Sequence, residues 1–175
     1  MNLSRCPLRM TEKFVVFVLL MAGVSLADGP LPQGWRHPAP QQVSGKWRSE
    51  SPSKFLTVRG DFDGDGQADL AELLVDASGQ HYGLFVKLPS SSRNWQKISD
   101  GDATELSQYG IAAVSPGSYE TACGKGYGDY ACAHGEPNFL KLSTDAIDFF
   151  YHESADIIFY WDHKLKKFRR VQMSD

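Results

Sequence analysis

Residues 51–75 read Ser-Pro-Ser-Lys-Phe-Leu-Thr-Val-Arg-Gly-Asp-Phe-Asp-Gly-Asp-Gly-Gln-Ala-Asp-Leu-Ala-Glu-Leu-Leu-Val, and the fold turns on how the two flanks of the acidic centre are read. On the approach, Pro52 disfavours a helix, Thr57 and Val58 are β-branched, and Gly60 stands against the first aspartate. That combination predicts a short strand. On the exit, Leu70, Leu73 and Leu74 have helical spacing, but Ala71, Leu73 and Val75 alternate equally well, and Ser78-Gly79 marks a turn into the next segment. With a strand entering, the reading is strand, loop, strand.

The loop, residues 61–72, carries Asp61, Asp63, Asp65, Asp69 and Glu72 with no Lys or Arg among them. Carboxylates so close together repel one another unless a cation sits among them or the loop is fully solvated. Their spacing, with glycine at the sixth position, is that of a calcium loop. A tightly wound loop turns alternate side chains inward, so Asp61, Asp63 and Asp65 converge and Gln67 offers its carbonyl oxygen. Asp69 binds directly or through a water. Gly66 supplies the backbone conformation of the sharp turn. Glu72 is the open position: beside a helix it adds two oxygens, whereas on a strand it faces away. Hard oxygen ligands in this number favour Ca²⁺ over Zn²⁺, and over Mg²⁺ with its tight octahedron. The competing reading is an acidic turn that holds water alone.

The wording Gly-Asp-Phe-Asp-Gly-Asp-Gly-Gln-Ala-Asp-Leu-Ala of residues 60–71 resembles the calcium loops of FG-GAP and VCBS-type β-repeats. Its Asp-x-Asp-x-Asp-Gly core also resembles the EF-hand. The EF-hand resemblance implies an entering helix; the other implies a β scaffold, which the flanks favour. Those repeat folds carry many copies of the loop and this chain carries one, so the resemblance does not extend to a propeller. Beyond the loop, the chain resembles small proteins secreted by bacteria.

Outward from the loop, strand signals come in series at 55–59, 70–75, 82–88, 95–99, 111–114, 139–142, 146–152, 157–161 and 168–173, punctuated by Gly, Pro, Asn, Asp and Ser. The fold class expected is mainly β and antiparallel, β-rich α+β at most, in a single compact domain spanning 51–175. Pro30, Pro32, Pro38 and Pro40 suggest an irregular N-terminal arm over 28–50, with a short helix of one turn at 41–46. The chain has 175 residues, 42% hydrophobic and 22% charged, values that exclude collagen-like and fully disordered classes.

Arg5, Arg9 and Lys13 precede an unbroken apolar run over 14–22, and Ser25-Leu26-Ala27 follows with small residues at the cleavage positions. Residues 1–27 are therefore expected to be a signal peptide, which places the protein in the periplasm or outside the cell. No later run is long and apolar enough to span a bilayer, so no membrane contact is expected after cleavage. Cys123 and Cys132 then remain, and an even count in an exported chain predicts a disulfide. It ties a glycine-rich loop bearing Tyr127 and Tyr130.

The full chain has 18 Lys and Arg against 21 Asp and Glu, and the acidic excess lies in the 61–72 loop. The basic cluster Lys164, Lys166, Lys167, Arg169 and Arg170 reads as a solvated face, so no nucleic-acid partner is expected. Nucleophile elbows, phosphate loops and zinc helices are missing from the sequence. His134 with Glu136, and His152 with Glu153, can be drawn as acid–base pairs, but sequence neighbours on a strand, such as His152 and Glu153, point to opposite faces. The function expected is an exported, non-enzymatic, Ca²⁺-binding β-rich protein in which the ion is structural. Two alternatives stand beside it. One is a periplasmic interaction module, an enzyme inhibitor or toxin-immunity protein that meets another protein through the Cys123–Cys132 loop; the other is a hydrolase with structural calcium.

Overall fold

The computed structural model describes residues 29–48, 51, 53–91, 95–127, 132 and 135–174. The signal segment expected over 1–27, Tyr130 and His134 lie outside them. In chain order the strands are β1 (Trp35–Arg36), β2 (Thr57–Gly60), β3 (Asp69–Asp76), β4 (His81–Lys87), β5 (Gln96–Asp102), β6 (Tyr109–Val114), β7 (Gly117–Glu120), β8 (Phe139–Leu142), β9 (Ala146–Tyr151), β10 (Asp156–Asp162) and β11 (Lys167–Ser174). Every pairing between them is antiparallel. The mainly β, antiparallel expectation matches this architecture.

The first sheet is built on β3. One side of β3 pairs with β4, which pairs in turn with β5; the other side takes β2 along its first half and β1 at its end. The second sheet runs β11-β10-β9-β6, and β7 with β8 forms a separate two-stranded piece. Residues 55–56 tie the two larger sheets together on one side. The amide of Ile111 on β6 donates to the carbonyl of Phe55 at 2.8 Å, and the amide of Leu73 on β3 donates to that of Leu56 at 2.9 Å.

Alternation along the strands decides where each side chain goes. On β10, Ile157, Phe159 and Trp161 join the main core with Leu73, Leu84, Val86, Ile111, Ile147 and Phe149 from both sheets. The intervening Ile158 and Tyr160 face the other way, against Leu140 and Leu142 of β8 and Val171 and Met173 of β11. Each fully buried aliphatic side chain contributes about 1.5–3 kcal/mol.

The stretch expected as an irregular arm belongs, from Leu31 on, to the same compact unit as the strands, which runs to Asp175. Instead of one helical turn at 41–46 it forms two 3₁₀ turns, Pro40–Gln42 and Lys46–Arg48. Arg48 then locks the segment down. Its side chain is 1% exposed and donates to the carbonyls of Lys54, Leu106, Ser107 and Tyr109, with its guanidinium over the Trp47 ring. Burial lowers its pKa to about 10. Among the described residues no helix is long and apolar enough to cross a membrane, and Cys123 and Cys132 are joined in a disulfide.

Candidate metal centre

The β2–β3 ladder closes at Gly60 opposite Asp69, so residues 61–68 leave the sheet as a loop. Phe62, at 0% exposure, drops from the loop into the main core and anchors it from below. Asp69 holds the same turn electrostatically. Its Oδ2 accepts the amides of Phe62 at 2.7 Å and Asp63 at 3.3 Å. The connection between β8 and β9 clamps the loop from the second sheet. Asp145 Oδ2 accepts the amide of Asp61 at 3.0 Å, and Thr144 Oγ1 donates to the carbonyl of Phe62 at 3.2 Å.

Above this base the chain winds tightly. Gly64 and Gly66 both lie in the left-handed region, at φ +77° and +82°, where a side chain is strained. Asp61 accepts the amide of Gly64 on one carboxylate oxygen and that of Gly66 on the other, at 2.9 and 3.0 Å. Asp63 accepts the amide of Asp65 at 3.2 Å and the hydroxyl of Ser90 at 2.8 Å. Asp65 accepts both the backbone amide of Gln67, at 2.7 Å, and its side-chain amide, at 2.9 Å. The winding brings one carboxylate oxygen from each of Asp61, Asp63 and Asp65 to within 4.8 Å of the others. Like charges this close repel one another.

Asp69, the buried member of the sequence motif, has a second oxygen with a different fate. Its Oδ1 is buried and has no hydrogen-bond partner. Burial drives the Asp69 pKa up to about 6 against the opposing pull of the two amide bonds. Glu72 sits three residues further along β3 and so on the opposite face. Its Oε1 lies 3.4 Å from Thr57 Oγ1 and 3.4 Å from His37 Nε2. It therefore turns away from the loop, as the strand reading of this segment requires.

Three carboxylate oxygens, from Asp61, Asp63 and Asp65, converge, and hard oxygen donors of that kind suit a divalent cation. Asp69, the fourth carboxylate expected from the sequence, is not part of that cluster, and the Gln67 side chain donates to Asp65. Four positions that shape the site were not read from the sequence. Phe62, Ser90, Thr144 and Asp145 act through tertiary contact; Thr144 and Asp145 meet the loop across more than eighty residues of chain.

Elsewhere Ala122, Lys125 and Glu136, at and around the Cys123–Cys132 staple, contact the second sheet. The amide of Ala122 donates to the carbonyl of Gln172 on β11 at 2.9 Å, Lys125 Nζ donates to the carbonyl of Met173 at 2.9 Å, and Glu136 accepts the Gln172 amide at 3.1 Å. Tyr127 stands 49% exposed. His152 and Glu153 do approach, at 3.7 Å, because Glu153 lies in a turn at φ +59° and not on a strand. The imidazole of His152 stacks on Trp47 with centroids 4.7 Å apart. Comparison with protein-family models, curated proteins and solved structures finds no match.

Proposed function

We propose that residues 61–69 bind one Ca²⁺ ion, and that the protein is an exported, non-enzymatic β-rich domain whose β2–β3 connection the ion holds in shape. The observation that carries this reading is the convergence of Asp61, Asp63 and Asp65 within 4.8 Å, on a loop whose glycines and backbone amides set the carboxylates before any ion arrives. In this reading Asp61, Asp63 and Asp65 supply carboxylate oxygens and Gln67 its carbonyl, while Asp69 completes the set directly or through a water with its orphaned Oδ1. The bound ion offsets the mutual repulsion of the carboxylates. Export is supported by the disulfide, which oxidising compartments favour.

Extracellular calcium modules bind with Kd on the order of 10⁻⁴–10⁻³ M, and a loop this exposed belongs in that range. Isothermal titration with Ca²⁺ and Mg²⁺ is the test. One Ca²⁺ site in that range, with Mg²⁺ far weaker and Asp63→Asn abolishing the heat, supports the reading; no Ca²⁺ heat at millimolar concentrations overturns it.

A further inference from the structure

The loops at the metal end of the two sheets enclose more than the acidic cluster. The β2–β3 loop, the start of the β4–β5 connection and the β10–β11 turn converge around a cavity of about 550 Å³, within the range of about 300–1,000 Å³ typical of small-molecule sites. Its wall combines Asp63, Ser90, Gln96, Trp161, His163 and Lys166. Trp161 is partly buried against the main core, and its ring is braced edge-on by Phe168 with centroids 5.2 Å apart. Ser90 bonds Asp63, so this wall and the acidic cluster share one hydrogen-bonded edge. His163 lies against Gly64 of the loop and 3.4 Å from Ser143 Oγ.

The chemistry of this wall selects among ligand classes. An apolar ligand would take Gln96, Lys166, His163 and Asp63 out of water and offer them no hydrogen bond of its own in exchange, which is costly. A phosphate would meet Lys166 but also the carboxylates of the loop. A ring bearing several hydroxyls answers every group at once: hydroxyls donate to Asp63 and accept from Lys166, and they do both with Ser90, Gln96 and His163. Its C–H face suits the electron-rich face of an indole. We propose that this cavity is a saccharide-binding site that seats a pyranose ring on Trp161, with its hydroxyls on Asp63, Gln96 and Lys166.

The site rests on the metal reading through Asp63 alone, because a bound cation would fix that carboxylate and neutralise its neighbours. The test is saturation-transfer NMR and a glycan array on the purified protein, in Ca²⁺ and in EDTA. The probes are neutral and acidic monosaccharides together with the corresponding oligosaccharides. The expected result is a millimolar or tighter saccharide hit that falls about tenfold or more in Trp161→Ala. Gln96→Ala and Lys166→Ala lie on the rim and weaken binding without touching the core, which guards against a Trp161 variant that fails to fold. Tyr127→Ala, far along the chain on the stapled loop, leaves binding intact. Retention of oligosaccharides but not free monosaccharides identifies a glycan chain as the source of the ring, and still supports the site. No saccharide bound at millimolar concentration, or binding indifferent to all three wall substitutions, overturns the proposal. Ca²⁺ binding without any saccharide would sink this site and leave the ion reading standing. Saccharide binding without Ca²⁺ binding would do the reverse.

Discussion

Asp148 and Asp69 are both pushed up to about 6, and in both burial is the first cause. They differ in what the structure gives them in return. Asp69 holds two loop amides. Asp148, on β9 between Ala112 and Ile158, feels the additional charge of Asp156 and leaves its Oδ1 buried without a partner. A folded-state pKa above the unfolded value of about 3.9 means the native state holds a proton that the unfolded chain has lost between pH 4 and 6. Stability contributed at this position is therefore present near pH 4 and falls as the pH rises through 6. Asp148→Asn removes the titration. It should raise stability at pH 8 by on the order of 1 kcal/mol after allowance for partial solvent access, or about 3 °C in Tm, and change little at pH 4. Parallel thermal scans at the two pH values check this, and an equal effect at both would refute the assignment. At this scale the sequence told much about Asp61, Asp63 and Asp65, since their spacing is local and their repulsion demands a reason. It told nothing of Asp148, whose burial depends on its cross-strand neighbours Ala112 and Ile158 and on the nearby Asp156, nor of Arg48, whose carbonyl partners lie on segments brought together by folding.

Among the elements, the strands richest in apolar residues were the most legible. β3 and β4 are buried along nearly their whole length and read as apolar runs, β10 carries Ile157 to Trp161 in one run, and β11 alternates toward its end with Val171 and Met173 buried, so each leaves a local signal in the chain. β1 is two residues long and β7 reads Gly-Ser-Tyr-Glu, so neither leaves a periodic signal; each exists because a partner strand supplies its hydrogen bonds. The Cys123–Cys132 loop was legible as a staple and not as a cap. By taking the carbonyl and amide of Gln172, the residues beside it cover part of the free edge of β11, a position that otherwise invites pairing with another chain. Replacing both cysteines with alanine should lower the unfolding free energy by about 2–3 kcal/mol, the chain-entropy value for a ring of about ten residues. The amides of Ala122 and Gln172 should then exchange faster than those of β10 facing β9. Hydrogen exchange and urea unfolding together test this; unchanged protection at Gln172 would show that Thr121, Lys125 and Glu136 hold the cap unaided.

For the molecule as a whole, two antiparallel sheets share one core, and the loops from β2–β3, β4–β5, β8–β9 and β10–β11 gather at one end. Strand class could be read from periodicity, but this gathering could not. Sheet order is set by pairings between distant segments, such as β6 with β9, and no local pattern encodes them. The gathered end is what turns a twelve-residue acidic motif into a shaped site: Thr144 and Asp145 clamp it from the second sheet, Ser90 ties it to the first, and Phe62 roots it in the core. An ion bound there should consequently stabilise the whole domain and not the loop alone, since binding only the folded state draws the unfolding equilibrium with it. Thermal unfolding of the protein in Ca²⁺, Mg²⁺ or EDTA, beside the Asp61→Asn, Asp65→Asn double variant, measures this most directly. At about 10 mM Ca²⁺ and a Kd of about 1 mM, the gain is about 1.4 kcal/mol, or about 3–5 °C in Tm. A rise of that size with Ca²⁺ alone, absent from the variant, is the expected result. The same midpoint in all three media would contradict a calcium site and leave residues 61–69 a hydrated turn.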